Sequence, residues 1–171
     1  YMYEFGLGVA KDLELAIELY QKAADQGNAP AQTNLGYMYQ NGKGVDKDLK
    51  LAFSWYQKAA DQGNARAQNN LGDMYQNGLG VDKDLKLAFS WFQKAADQGN
   101  AYSQGSLGYM YQKGLGVTKD LKLAIKWYQK GADQGSAYSQ GSLGYMYQKG
   151  LGVDKNLKLA FSWYQKAADQ D

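Results

Sequence analysis

The chain has 171 residues, and its 19 basic and 17 acidic side chains leave a net charge of +2, which gives no electrostatic signature of nucleic acid or an anionic membrane as partner. It contains neither cysteine nor histidine, which excludes disulfides, thiolate-bound zinc and every catalytic triad that depends on an imidazole. No apolar run approaches the roughly 20 residues needed to cross a bilayer, and we expect no metal, no cofactor and no catalytic site.

A repeat of 36 residues organises the whole sequence. The segment Leu35-Gly36-Tyr37-Met38-Tyr39 returns as Leu71-Gly72-Asp73-Met74-Tyr75, then from Leu107 and again from Leu143. Tyr1 aligns with Tyr37, so the first copy is truncated and the chain looks cut from something longer. We therefore predict one solenoid domain, 1–171, with a truncated repeat at 1–27 and full repeats at 28–63, 64–99, 100–135 and 136–171.

The first half of each repeat is predicted to be a helix. In the copy 64–99, Asn64 is the predicted N-cap and the helix runs to about Gln76. Asn77-Gly78 then ends it, because glycine accepts the left-handed conformation found at helix C-termini. The only proline, Pro30, falls in the first turn of the equivalent helix, where it costs little.

A second helix follows the bend Leu79-Gly80-Val81. Asp82 is its predicted N-cap, with Asp84 in the first turn, where the helix dipole favours a carboxylate. The helix is predicted to run to about Gln98 and to stop at Gly99.

The second helix has an apolar face too wide for one neighbour to cover, roughly 200° around the helix axis. The first helix has a narrower apolar stripe, beside which Gly36 permits a close helix approach. The second-helix face holds Leu49, Leu51, Ala52, Phe53, Trp55, Tyr56, Ala59 and Ala60, and the first-helix stripe holds Ala31, Leu35, Met38 and Tyr39. One unit cannot bury such a surface alone, so neighbouring copies are expected to stack into a solenoid.

These residues resemble the Sel-1-like repeat family, a relative of the tetratricopeptide repeats. The resemblance covers essentially the whole chain and implies an all-α, right-handed superhelix of antiparallel helix pairs whose first helices line a concave surface. It also implies a non-catalytic scaffold or adaptor that binds proteins or peptides, and it favours a bacterial periplasmic or secreted location. Three positions depart from the family pattern: Phe92, Gly131 and Asn156. In the copy 64–99 the pattern reads Ala67, Leu71-Gly72, Tyr75, Gly78-Leu79-Gly80-Val81, Asp84, Ala88, Trp91-Phe92 and Lys94-Ala95-Ala96.

The copies differ on one face of the first helix, opposite its apolar stripe. The four positions of that face hold Pro30, Thr33, Tyr37 and Asn41, then Arg66, Asn69, Asp73 and Asn77, then Tyr102, Gly105, Tyr109 and Lys113, and lastly Tyr138, Gly141, Tyr145 and Lys149. Two tyrosines around a glycine are expected to leave a slot with aromatic walls and hydroxyl rims, which suits recognition of an extended peptide or a partner's helix. The predicted partner-binding residues are Tyr37, Arg66, Asn69, Asp73, Tyr102, Tyr109, Tyr138 and Tyr145.

Other interpretations of these features remain open. Residues 102–117 repeat letter for letter as 138–153, so a recent duplication could have copied a neutral packing surface. The same tyrosines would also suit a glycan-binding envelope protein, and the chain could be an excised or engineered array with no partner of its own. The tryptophans that recur from Trp55 onward could form a sugar-binding strip, but their place on the apolar face favours packing between repeats. Uncapped terminal repeats predict end-to-end self-association.

Overall fold

The repeat folds into nine α-helices over residues 12–169, which are the residues that the computed structural model describes. None of the helices in this part of the chain is long and apolar enough to span a lipid bilayer. In chain order they are α1 Leu13–Asp25, α2 Ala29–Asn41, α3 Leu49–Asp61, α4 Ala65–Asn77, α5 Leu85–Asp97, α6 Ala101–Lys113, α7 Leu121–Asp133, α8 Ala137–Lys149 and α9 Leu157–Ala168. Within each of the two units described below, consecutive helices pack on one another, and the predicted fold class, an all-α solenoid of helix pairs, is confirmed.

The chain forms two compact units, 1–83 and 84–171. In the described part of the first unit, residues from α1 and α2 form a core with Trp55 of α3, and Leu35 and Met38 are fully buried there. In the second unit, Tyr128 and Ala132 of α7 pack with Leu143 and Met146 of α8 in the same manner. Most residues of the predicted core stripes are therefore buried, and the half-buried members are Tyr39, Leu49, Leu51 and Phe53.

The first helix of each repeat begins and ends where the sequence predicts. Asn64 adopts an extended backbone and its side chain accepts a hydrogen bond from the backbone N–H of Ala67 at 3.0 Å. Gly78 closes the helix in the left-handed conformation with φ of 69°, which a residue with a Cβ rarely adopts. Pro30 lies in the first turn of α2, as predicted.

The second helix begins two residues later than predicted. Asp84, and not Asp82, is the N-cap of α5: its Oδ1 accepts hydrogen bonds from the backbone N–H groups of Lys86 and Leu87 at 2.8 and 2.9 Å. Asp82 is an exposed residue of the preceding bend. Asn156 caps α9 by the same contact to Leu159, so this departure from the family pattern keeps the cap.

Glutamine side chains tie neighbouring repeats together. In the first unit, buried Gln32 donates from Nε2 to the carbonyl of Ala24 and accepts from Gln62 Nε2 at 2.7 Å. In the second unit, buried Gln140 donates in the same way from Nε2 to the carbonyl of Ala132 in the preceding repeat, at 3.2 Å. These bonds pair polar groups that lie inside the stack, where an unpaired polar group would cost stability. The solenoid is therefore held by directed polar contacts as well as by apolar packing.

Candidate functional site

The predicted partner-binding tyrosines differ in how far they reach solvent. Tyr102 is 77% exposed, Tyr138 55% and Tyr145 43%, whereas Tyr37 and Tyr109 are half-buried. All five project from the first helices α2, α6 and α8. Each of these helices has an N-cap residue at its start and a glycine in the left-handed conformation at its end. The site residues thus stand on regular helices whose ends are well defined.

One predicted position of this face points inward instead of outward. Thr33 is 2% exposed and its hydroxyl donates to the Ala29 carbonyl, and Gly105 is buried as well. A Cβ at Gly105 would lie 3.0 Å from the ring of Tyr138 and 2.9 Å from Ser139 Oγ, both on the first helix of the next repeat. The prediction that these positions face solvent is wrong, because they lie where adjacent first helices meet.

A cavity of about 420 Å³ opens between repeats of the second unit, and we call it the tyrosine cavity. Tyr109 of α6 forms one wall, and Tyr138 and Tyr145 of α8 form the other, with Gly141 between them. Its full lining consists of Tyr109, Gln112, Lys113, Tyr128, Ala137, Tyr138, Gly141, Ser142 and Tyr145. The predicted slot between two tyrosines of one helix is therefore present at α8, where no atom lies within 4 Å of a Cβ built at Gly141.

The equivalent slot on α6 does not form. Tyr102 lies outside the tyrosine cavity and lines a second cavity of about 340 Å³ together with Gln134, Ser136 and Tyr138. Gly105, which separates Tyr102 from Tyr109 in sequence, is covered by Tyr138. Tyr138 thus lines both cavities.

Tyr128 lies at the base of the tyrosine cavity and was not among the predicted site residues. Its side chain is fully buried, and its hydroxyl donates to Gln112 Oε1 at 2.8 Å. Its ring meets that of Tyr138 edge to face, with centroids 6.2 Å apart. The helical wheel assigned this position to the core, correctly, but gave no sign that the hydroxyl end reaches a cavity.

The hydroxyls of Tyr128 and Tyr138 stay protonated near neutral pH. Burial raises the pKa of Tyr128 well above its ordinary value of 10.0, and loss of hydration also raises the pKa of Tyr138. Hydrogen bonds to Tyr128 and Ser142 offset part of the shift at Tyr138. Lys113, at the end of α6, contributes the one positive charge, and no described lining residue carries a carboxylate.

The four site residues predicted in the first unit form a surface of different chemistry, which we call the polar surface: Tyr37, Arg66, Asn69 and Asp73. The Arg66 guanidinium carbon lies 5.8 Å from the centroid of the Tyr37 ring. Lys43, which sequence reasoning missed, lies 4.6 Å from the same centroid and donates to the Tyr37 hydroxyl at 2.8 Å. Two cationic side chains therefore contact the Tyr37 ring, which the sequence predicted to be a partner-binding surface.

Asp73 is a half-buried carboxylate. Its Oδ2 accepts a hydrogen bond from Asn69 Nδ2 at 3.3 Å, and the one salt bridge of the described residues lies elsewhere, between Lys22 and Glu18. Burial raises the pKa of Asp73 from 3.8 to about 6, and the Asn69 hydrogen bond opposes this shift in part. The polar surface thus holds a carboxylate that changes charge in a mildly acidic range.

The tryptophans serve as packing residues. Trp55 is 7% exposed and belongs to the core of the first unit. The ammonium group of Lys58 lies 4.2 Å from its ring centroid, and a lysine three residues after each of the other tryptophans lies 3.9 to 4.3 Å from that ring. A buried ring whose remaining face is covered by a lysine leaves no platform for a sugar.

The sequence matches the model of the Sel1 repeat at residues 1–28, 29–64, 65–100, 101–136 and 137–171. Among curated proteins, none matches this chain. Proteins of this repeat family are generally interaction scaffolds and typically non-catalytic.

Solved bacterial structures share both sequence and fold with this chain. A protective antigen present in uropathogenic Escherichia coli strains is 45% identical, with a TM-score of 0.92 over 99% of this chain and 36% of the antigen. A Sel1 repeat protein from Oxalobacter formigenes is 38% identical, with a TM-score of 0.94 over 99% of this chain and 68% of that protein. Cysteine rich protein B of Helicobacter pylori is 30% identical, with a TM-score of 0.60 over 78% of this chain and 96% of its own. The chain thus spans about a third of the antigen's length.

The family model covers the chain from end to end, and the helix pairs, caps and bends described above follow the same period. The chain belongs to the Sel1 repeat family and carries five of its repeats.

Proposed function

We propose that this chain is a non-catalytic scaffold that binds a peptide or a partner protein on its first helices, with the tyrosine cavity as the main recognition site. The observation that carries the proposal is the cavity itself: three tyrosine rings with access to solvent surround a space of about 420 Å³. The general role of Sel1 repeats as interaction scaffolds supports it.

The chemistry of the cavity suits protein recognition. Tyrosine offers a large apolar contact and a polar tip while only two side-chain torsions are frozen on binding, so its entropic cost is small. Gly141 leaves space beside Tyr138 and Tyr145 that a ligand's side chain can fill. Regular helices, whose backbone bonds are satisfied internally, hold these groups in place and reduce the cost of ordering them.

The polar surface of the first unit is proposed as a separate contact. Arg66 is exposed and makes only a 3.5 Å contact to Asn34 among the hydrogen bonds described for its guanidinium, so it can reorient toward a ligand's carboxylate. Its effect on binding is expected to be smaller than that of the tyrosine cavity, because Lys43 already occupies part of the Tyr37 ring.

The experiment starts from proteins that co-purify with a parent protein containing this chain, identified by mass spectrometry. The dissociation constant of the purified partner is then measured for the native chain and for the double variant Tyr138→Ala/Tyr145→Ala. Loss of two central aromatic contacts is expected to weaken binding by tenfold or more, on the order of 2 kcal/mol. Circular dichroism and a thermal melt verify that the variant keeps its fold.

The control is Tyr164→Ala, which removes a partly exposed tyrosine of α9 outside the cavity. If the native chain and the Tyr138→Ala/Tyr145→Ala variant bind the partner with equal affinity, the proposal is wrong. Binding of the native chain, but not the variant, to sugars on a glycan array would replace the protein partner by a carbohydrate.

End-to-end self-association through terminal repeats is also proposed. Leu157 and Phe161 of α9 are 60% and 68% exposed, whereas Phe53 at the equivalent position of α3 is half-buried and packs edge to face on Tyr75 of α4. Light scattering over a concentration series tests this, with Phe161→Glu expected to remove any association. A strict monomer at high concentration would contradict it.

A further inference from the structure

We infer that the tyrosine cavity selects an extended acidic peptide. One carboxylate of the peptide forms a salt bridge with Lys113, and the neighbouring peptide residues pack on the Tyr138 ring. The inference rests on the proposed function, since it names the chemistry of the partner that the cavity receives.

The charge of the cavity favours an acidic ligand. Lys113 is exposed at the end of α6, and no carboxylate stands among the described residues that line the cavity with it. No salt bridge of Lys113 occurs within the described part of the chain. A carboxylate on the ligand would supply the missing counter-charge, whereas a lysine or arginine there would meet a like charge.

The hydroxyl groups favour hydrogen-bond acceptors on the ligand. The Tyr128 proton is already committed to Gln112, at 2.8 Å. Within the described part of the chain, the hydroxyls of Tyr109 and Tyr145 make no hydrogen bond to another side chain, so they are open to backbone carbonyls or a carboxylate. An extended peptide presents such acceptors along its whole length, which a folded helix does not.

The two neighbouring cavities favour an extended chain over a compact ligand. The tyrosine cavity, of about 420 Å³, and the second cavity, of about 340 Å³, share Tyr138 in their linings. In an extended peptide, side chains two residues apart point the same way and are separated by roughly 6.5–7 Å. Such a peptide can place one side chain in each cavity while its backbone crosses the Tyr138 ring.

The first unit provides a natural contrast within the same chain. At the repeat positions of Lys113, Tyr138 and Tyr145 it has Asn41, Arg66 and Asp73. Asp73 adds a negative charge that the tyrosine cavity lacks, so the two surfaces are not expected to share one ligand.

The test uses three pools of fluorescein-labelled nonapeptides, with Asp, Asn or Lys fixed at the central residue and random, cysteine-free sequence elsewhere. Fluorescence anisotropy gives the affinity of each pool for the full chain, for Lys113→Gln and for Lys149→Gln. Lys149 is the matched control, because it is the exposed equivalent of Lys113 in the next repeat and does not line the cavity. Tyr138→Ala is measured alongside.

We expect the Asp pool to bind about two- to fivefold more tightly than the Asn pool, the range of a partly exposed charge pair, and the Lys pool to bind most weakly. Lys113→Gln should abolish the preference while leaving the Asn pool unchanged, and Lys149→Gln should keep the preference. Raising the salt concentration should reduce it.

Two negative results are distinguishable. If the pools bind and Tyr138→Ala weakens them, but the native chain shows no preference for Asp or Lys113→Gln retains one, the inference is overturned and the proposed function stands. If no pool binds, or if Tyr138→Ala has no effect, the cavity is not a peptide site and the inference is overturned; the measurement with the purified partner protein then decides the proposed function.

Discussion

A methyl group placed at Gly36 of α2 would lie 2.6 Å from two ring carbons of Tyr56 on α3. Gly108 and Tyr128 repeat the relationship at 2.6 and 2.7 Å in the second unit, and Gly144 and Tyr164 repeat it at 2.8 Å. The glycine of the Leu-Gly motif is therefore a packing residue: it lets the two helices of a repeat approach until the tyrosine ring rests on bare backbone.

Gly36→Ala is expected to destabilise the fold by about 1–3 kcal/mol, because Tyr56 is fully buried and its ring cannot move aside. The control is Gly141→Ala, also within a helix but with nothing within 4 Å of the added carbon, which should stabilise by roughly 0.5–1 kcal/mol through helix propensity. Chemical denaturation measures both. Equal effects of the two substitutions would contradict the packing argument.

Tyr128→Phe should cost about 0.5–1.5 kcal/mol, because it removes the part-buried hydrogen bond that the Tyr128 hydroxyl donates to Gln112 Oε1. The matched control is Tyr164→Phe, since the equivalent bond from Tyr164 to Gln148 is 3.2 Å long and exposed to water. Its loss should cost less than about 0.5 kcal/mol. Urea denaturation of the two variants checks the difference, and a Tyr128→Phe protein as stable as the native one would refute it.

Ser139 and Gly131 are expected to be coupled. Ser139 Oγ is buried with no hydrogen-bond partner within the described structure, and a Cβ at Gly131 would lie 2.5 Å from it. Ser139→Ala should therefore stabilise by about 1 kcal/mol. Gly131→Ala should destabilise the native chain but cost less in the Ser139→Ala background, with a coupling energy of about 1 kcal/mol. A double-mutant cycle measures this, and additive effects would show that the two positions are independent.

Asp73 should make stability depend on pH between about 4 and 6. Its pKa is raised from 3.8 to about 6 on folding, so its contribution is fully present below about pH 4 and is lost as the pH rises through 6. Asp73→Asn should therefore stabilise the chain above pH 6, on the order of 2 kcal/mol after allowance for partial exposure, and should remove this part of the pH dependence. Denaturation at pH 4, 5, 6 and 7 measures it, with exposed Asp61→Asn as the control for loss of one charge.

Sequence periodicity was sufficient to predict the helix pairs. The spacing of Leu35 and Met38 determines which side of α2 is buried, and Asn64 and Gly78 mark where α4 begins and ends. These features are local, because each depends on the conformation of a few consecutive residues. The choice of Asp84 over Asp82 as N-cap is not evident from composition, since both are aspartates that can accept backbone hydrogen bonds. It depends on the length of the bend before the first helical turn.

The candidate site was only partly predictable for a different reason. A helical wheel correctly places Tyr138, Gly141 and Tyr145 on one face, but it describes a single helix and says nothing about the helices beside it. It could not show that Tyr109 joins them from the preceding repeat, or that Lys43 covers Tyr37. Contacts between repeats depend on how the helices stack, and that distance information is absent from the pattern of a single helix.

The identical segments 102–117 and 138–153 have different surroundings: Gly105 lies under Tyr138, while Gly141 faces open space. The position of a repeat in the array, and not its amino-acid sequence, therefore determines whether this glycine is buried or exposed. A further repeat stacked on α8 would cover Gly141 as α8 covers Gly105, and the slot proposed for a ligand would become interior. In such a protein, a change in the number of repeats can itself change which surfaces are exposed to partners, and selection can act on that number.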